Sequence, residues 1–231
     1  MFSSQMILQF DLREEASFDN YYFDQNKALY AALYAMGAGQ GERFVYLWGQ
    51  KGAGKTHLLQ AACHVARSLD LSFFYLSLQN IKKLDVSVFE GLDALSLVCL
   101  DDIDALVDKP KWEEALFNLF NQMQEMRHRL IVSAPVAPSQ LGLKLKDLES
   151  RLLSGMAFQM EELDEETKLK ALTARAKARG LDLPSDVAAF IFRRYPRDLG
   201  TLFGVLDKLD QASLVAKRKL TVPFVKEVLG V

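Results

Sequence analysis

The residues whose types and spacing most directly imply chemistry are the run GQKGAGKT at positions 49–56. It fits G-x-x-x-x-G-K-[ST] in full, directly after a β-type run and directly before a helical one, which is the context that confirms the motif. Gly49, Gly52 and Gly54 let the backbone curl, so that N–H groups such as that of Ala53 turn inward toward phosphate oxygens. The helix that follows adds the positive end of its dipole, and the backbone N–H of His57 lies within reach of the same site. Lys55 brings a charge to the β- and γ-phosphates, and the Thr56 hydroxyl is of the type that ligates Mg²⁺. A plain glycine turn before a helix is the alternative, but it does not account for motif and context together.

The second constellation is SLVCLDD at 96–102, an apolar strand that ends in two carboxylates. Open parallel sheets bind ligands at the C-terminal ends of their strands, where Asp101 falls. Asp101 is the expected Mg²⁺ holder, directly or through water, and Asp102 is placed to orient or deprotonate a water. Two consecutive aspartates are a weak signal alone and a strong one downstream of a complete phosphate loop.

These residues need a scaffold, and the chain alternates strand and helix to provide it. Arg43–Trp48, Ser72–Leu76, Ser96–Leu100, Arg129–Ser133 and Ala157–Met160 read as strands. The second and third are continuously apolar, as expected of strands covered on both faces. Helices are expected over Asn26–Met36, after the phosphate loop, and from Pro110 to about Arg127. After Leu163 strands cease, and helices are expected over Asp164–Arg179, Ser185–Tyr195, Asp198–Lys217 and from about Thr221. The fold class is therefore α/β, a five-stranded parallel sheet followed by a small all-helical lid.

Bulk properties agree with this and add little. The 231 residues are 50% hydrophobic and 25% charged, with a net charge of −2. That is the balance of a globular domain with a real core, and it gives no sign of nucleic-acid binding through overall basicity. Residues 164–231 carry thirteen Lys/Arg against nine Asp/Glu, so the expected lid is basic on an acidic body. Such a face suits phosphates, an acidic partner or plain solvation. Cys63 and Cys99, the only cysteines, sit in apolar runs and read as structural thiols of a reducing compartment. The N-terminus lacks signal-peptide features and no apolar run is long enough to span a membrane, so a cytoplasmic protein is expected.

WGQKGAGKTHLLQAACHVA, SLVCLDDIDAL, LESRLLSG and RRYPRDLGTLFGVLDKLDQASLVAKRKLT together resemble the DnaA family of bacterial replication initiators, which are P-loop AAA+ proteins. They are more similar still to the shorter Hda branch, which regulates DnaA and lacks its DNA-binding domain; GKTHLLQA alone would also fit the helicase loader DnaC. The resemblance spans nearly the whole chain, and the ending RKLTVPFVKEVL is among its most Hda-like parts. It implies a division into a clamp-binding tail at 1–20, an AAA+ nucleotide-binding domain at 21–163 and a helical lid at 164–231. With nothing after Val231, no helix-turn-helix domain is expected, and DNA would be reached only indirectly.

The resemblance also assigns roles. Arg151 in LESRLLSG matches the arginine finger offered in trans to a neighbour's nucleotide, with a salt-bridged surface arginine as the alternative. Arg197 in YPRDLG matches the lid's sensor arginine, which reaches the subunit's own nucleotide. Gln5, Met6, Leu8 and Phe10 are similar to the peptide that docks on the β sliding clamp of DNA polymerase III, an extended segment with one amide and three apolar anchors. An edge strand or frayed tail is the alternative there. One position departs from the pattern: Ser133-Ala134-Pro135-Val136 stands where DnaA has a Ser-Asp-Arg type sequence, so the acidic group that positions water is missing. The aromatic run at 18–23 lies where AAA+ proteins line the adenine pocket.

The resulting expectation is an ADP-bound (or ATP-bound) Mg²⁺-dependent regulator, tethered to the clamp, that stimulates ATP hydrolysis by DnaA and so prevents re-initiation. It would have at most weak ATPase activity of its own, no membrane association, and an open question of homo-oligomerisation. The alternatives are a self-sufficient AAA+ ATPase and a DnaA-like scaffold bridging the clamp to another partner.

Overall fold

The computed structural model describes residues 12, 16–21, 27–160, 164–196 and 199–230. Five short apolar runs become the strands β1 (Phe44–Trp48), β2 (Phe73–Ser77), β3 (Leu97–Asp101), β4 (Arg129–Ala134) and β5 (Met156–Gln159). All pair in parallel, in the order β2-β3-β4-β1-β5. β2 and β3 each run one residue past the expected end, because Ser77 pairs with Asp101 at the last rung. That extra rung puts Asp101 inside the hydrogen-bonded ladder rather than in the loop beyond it.

Four helices accompany the sheet: α1 (Lys27–Gly37), α2 (Lys55–Ser68), α3 (Pro110–Glu125) and α4 (Lys146–Leu153). β3 is buried along its full length and β1 over its first four residues, as parallel strands under helices must be. Leu76, Val98, Leu100, Leu116, Leu130 and Val132 form the heart of the core beneath α3. Between β2 and β3 the chain makes three short 3-10 turns, Leu78–Lys83, Val86–Phe89 and Leu92–Ala94, which sequence periodicity does not announce. They seal that side of the sheet with Leu78, Ile81, Phe89 and Leu92.

The described residues divide into two compact units. The larger holds the sheet with α1 to α4; the smaller holds the helices from 164 onward with the short stretches 19–21 and 50–54. In the smaller unit α5 (Glu165–Ala178), α6 (Ser185–Arg194), α7 (Leu199–Ala216) and α8 (Val222–Leu229) surround Leu172, Ile191, Leu206 and Val225. α5 starts where Asp164 accepts the Thr167 N–H at 2.7 Å, and α8 where Thr221 caps Phe224 with Pro223 in the first turn. The guanidinium of Arg175 lies 4.3 Å over the Phe203 ring, so this buried cation is spent on packing α5 to α7. No helix among the described residues is long and apolar enough to cross a membrane.

Candidate functional site

β1 delivers the phosphate loop and α2 receives it. At Gly49 a side chain is excluded, since a Cβ there would collide with the Met160 carbonyl oxygen. Gly52 and Gly54 have φ of 88° and 90°, a left-handed backbone that L side chains adopt only with strain. A Cβ at Gly54 would also come within 2.6 Å of the Tyr21 ring, whose hydroxyl donates to the Ala53 carbonyl at 3.1 Å. Burial pushes the Tyr21 phenol up to about 12, so it remains a donor across the physiological range. The loop is thus held from outside by an aromatic residue of the 18–23 run. Tyr22 and Phe23 lie outside the described residues, and Phe18 is buried against Tyr30 and Tyr34.

α2 opens on Lys55, Thr56 and His57. Lys55 is buried, and its ammonium donates to the Gly49 carbonyl at 2.6 Å, folding the side chain back across the loop. Desolvation lowers its proton affinity, while Asp101, Asp102 and Asp104 act in the opposite sense. The His57 ring Nε2 lies 2.7 Å from the Ser17 carbonyl, a contact that ties the segment before α1 to the start of α2. Sequence reading had placed only the His57 backbone at the site.

The Asp101 carboxylate is the hub. Its Oδ2 accepts from the Thr56 hydroxyl at 2.5 Å and from the Tyr75 hydroxyl at 3.0 Å, and its Oδ1 accepts from Ser133 Oγ. Ser133 is fully buried on β4 and accepts the Asp102 N–H at 3.1 Å, so one hydroxyl ties the Asp101 carboxylate to the backbone of Asp102. Asp102 itself is in the left-handed region at φ 59° and ψ 51°, an uncommon conformation for a non-glycine residue. Burial, then the neighbouring Asp101 and Asp104, raise the Asp102 carboxyl to about 6 against the pull of Lys55. A carboxyl near neutrality suits the handling of a water proton.

The loop after β4 is fixed from β1, where the buried Tyr46 hydroxyl donates to the Val136 carbonyl at 2.9 Å. Sequence reading found Thr56, Asp101 and Ser133 but not the two tyrosines. A tyrosine in an apolar strand reads as core, and only the fold reveals where its hydroxyl ends. Thr56 beside Asp101, with the Lys55 ammonium held on Gly49, is a donor set that fits Mg²⁺ together with a polyphosphate: a hydroxyl, a carboxylate and a cation.

The other predicted residues lie elsewhere. Arg151 is exposed near the end of α4, with its carbonyl accepting the Ser154 hydroxyl at 2.7 Å. Its guanidinium has no hydrogen bond or ion pair among the described residues. α4 ends beside the start of β1, whereas Gly49 follows its last residue. A five-residue strand separates the two by roughly 16 Å at about 3.3 Å per residue. Arg197 and Gln5, Met6, Leu8 and Phe10 fall outside the described residues.

Residues 12–159 match the bacterial DnaA ATPase domain, and residues 164–229 match the Hda lid domain. Among solved structures, domain III of the Thermotoga maritima replication initiation protein DnaA superposes with a TM-score of 0.74 at 21% identity, covering 94% of this chain and 96% of that one. AMPPCP-bound DnaA from Aquifex aeolicus follows at 0.69 and 23%, covering 88% and 67%. The Thermotoga maritima Holliday junction branch migration motor RuvB matches at 0.65 and 19%, covering 95% and 72%. With the ATPase-domain match spanning well over half of its length and the lid match most of the remainder, the chain belongs to the bacterial DnaA ATPase family, as a DnaA/Hda-like AAA+ replication protein.

Proposed function

We propose that this protein is a regulator of replication initiation. It holds ADP in its own phosphate loop, is tethered to the DNA-loaded β sliding clamp by residues 5–10, and presents Arg151 to ATP held by DnaA, whose hydrolysis it stimulates. The observation that carries this reading is the exposed Arg151, without a side-chain partner among the described residues, beside the end of β1 remote from its own phosphate loop. An arginine so placed is too far from its own phosphate loop to meet that nucleotide and is open to one bound by another molecule.

In the protein's own site, Lys55 and the amides of 49–56 would neutralise and orient the phosphates, and Thr56 with Asp101 would hold Mg²⁺. An ion bound there would neutralise charge on the nucleotide's phosphate oxygens. Tyr75 and Ser133 fix the carboxylate that meets it. In trans, Arg151 would stabilise charge that develops during phosphoryl transfer, an effect worth about 10³–10⁵ in rate.

The test is an assay of DnaA–ATP hydrolysis with purified protein and clamp loaded on DNA. Arg151→Ala should abolish stimulation while nucleotide binding at 49–56 is retained. Deleting residues 1–10 should abolish clamp binding alone. Full stimulation by Arg151→Ala would sink the assignment. A second reading, a self-sufficient ATPase, is favoured by the placement of Asp102 directly after Asp101, with burial first and then Asp101 and Asp104 holding its carboxyl up at about 6. Steady-state turnover by the protein alone, lost on Asp102→Asn, would support it instead.

A further inference from the structure

A cavity of about 410 Å³ opens where α4 ends, with Arg43, Phe44, Phe120, Gln124, Arg151 and Ser154 among its walls. Phe44 and Phe120 make its apolar floor, their rings edge to face at 4.9 Å. Gly155 locks the end of α4 to the start of β1, since a Cβ there would collide with the Phe44 ring and lie 2.9 Å from the Phe44 carbonyl. This close approach is what brings Arg151 and Arg43 to one cavity, from positions more than a hundred residues apart in the chain.

Arg43, like Arg151, is exposed and has no side-chain hydrogen bond or ion pair among the described residues. It also lies near a third cation. The Arg129 guanidinium, held on the Gln40 carbonyl at 3.0 Å, has its proton affinity lowered by burial and by the charge of Arg43. Glu42, on the cavity rim, is the one carboxylate among the wall residues. Two guanidinium groups with no side-chain partner among the described residues thus stand over an apolar floor, a cationic face with Gln124 beside it.

We propose that Arg43 is a second cation of the trans site, facing the polyphosphate of the nucleoside triphosphate that Arg151 addresses on the partner. The cavity admits the phosphates, Arg151 meets the transferring group, and Arg43 neutralises the oxygens beside it. This rests on the reading of Arg151 as a finger. The anion is the partner's bound nucleotide rather than free phosphate, because exposed guanidinium groups in water hold a free anion weakly and gain strength only when a second surface closes over them.

The experiment uses the full chain, clamp on DNA and ATP-loaded DnaA, with initial hydrolysis rates taken against regulator concentration. Arg43→Ala should lower the maximal stimulated rate by roughly tenfold with little change in the half-saturating concentration, as for an interaction made in the transition state. Arg43→Lys should recover part of the loss, and Glu42→Gln should keep or raise the rate. Unchanged nucleotide affinity at 49–56 and an unchanged melting temperature show that Arg43→Ala is folded. A maximal rate within twofold of wild type, or a change confined to half-saturation, overturns the proposal. So does binding of pyrophosphate to the protein alone that Arg43→Ala removes, which would mark a free-anion pocket. If Arg151→Ala also leaves stimulation intact, it is the finger reading itself that fails.

Discussion

Ser133 shows how much one buried hydroxyl can organise. It donates to Asp101 and accepts from the Asp102 N–H, so a single atom ties the Asp101 carboxylate to the backbone of Asp102. Ser133→Ala removes the donor and leaves a buried N–H unpaired, a loss of roughly 1–3 kcal/mol in stability. Tyr75→Phe removes only one of the three donors to Asp101 and should cost less, about 1 kcal/mol. Both should weaken the Mg²⁺-dependent part of nucleotide affinity more than the Mg²⁺-independent part. Titration calorimetry with and without the metal separates the two, and an equal loss in both would assign these hydroxyls to packing alone. Just before the Ala134-Pro135-Val136 segment, Ser133 thus supplies a hydroxyl that serves the neighbouring aspartates.

At the scale of elements, α4 depends on α3. Leu145, the residue before α4, supplies no side-chain cap. The carboxylate of Glu113, buried in the first turn of α3, instead accepts the N–H groups of Lys144 and Leu145 at 2.9 and 2.8 Å. Glu113→Ala should therefore cost about 2–3 kcal/mol in chemical denaturation. Glu113→Gln, which retains an amide oxygen as acceptor, should cost distinctly less. If the two variants were equally destabilised, the carboxylate charge rather than the cap would be the cause.

These contacts also explain what the sequence could and could not disclose. Gly49 to Thr56 are consecutive, and the strands declare themselves by local apolar runs, so both are legible along the chain. Tyr75 to Asp101, Glu113 to Lys144 and Ser133 to Asp101 span 26, 31 and 32 residues. Nothing local marks them, and the sheet order that creates them is equally silent. The cavity beside Arg151 depends on Gly155 meeting Phe44, a contact that sequence spacing does not encode.

For the molecule as a whole, a tightly held nucleotide is a structural component. A ligand at a hundred times its dissociation constant that binds only the folded state adds about 2.7 kcal/mol of stability. Saturating ADP should thus raise the thermal midpoint of the wild type, and Lys55→Ala should lose most of that increment because Lys55 folds directly over the loop. An undiminished rise in the variant would exclude Lys55 as a principal phosphate contact.

β1 also carries a polarity. Gly49 follows one of its ends and the Arg43–Arg151 cavity adjoins the other, so on the proposed function the strand would have an accepting head and a donating tail. A contact that joins a tail to a head is heterologous, and a two-fold axis through the tails would bring two arginines together with no nucleotide between them. If Arg151 acts in trans as proposed, one copy would service one partner site at a time, and the five residues of β1 would set the distance between the nucleotide a copy holds and the one it acts on.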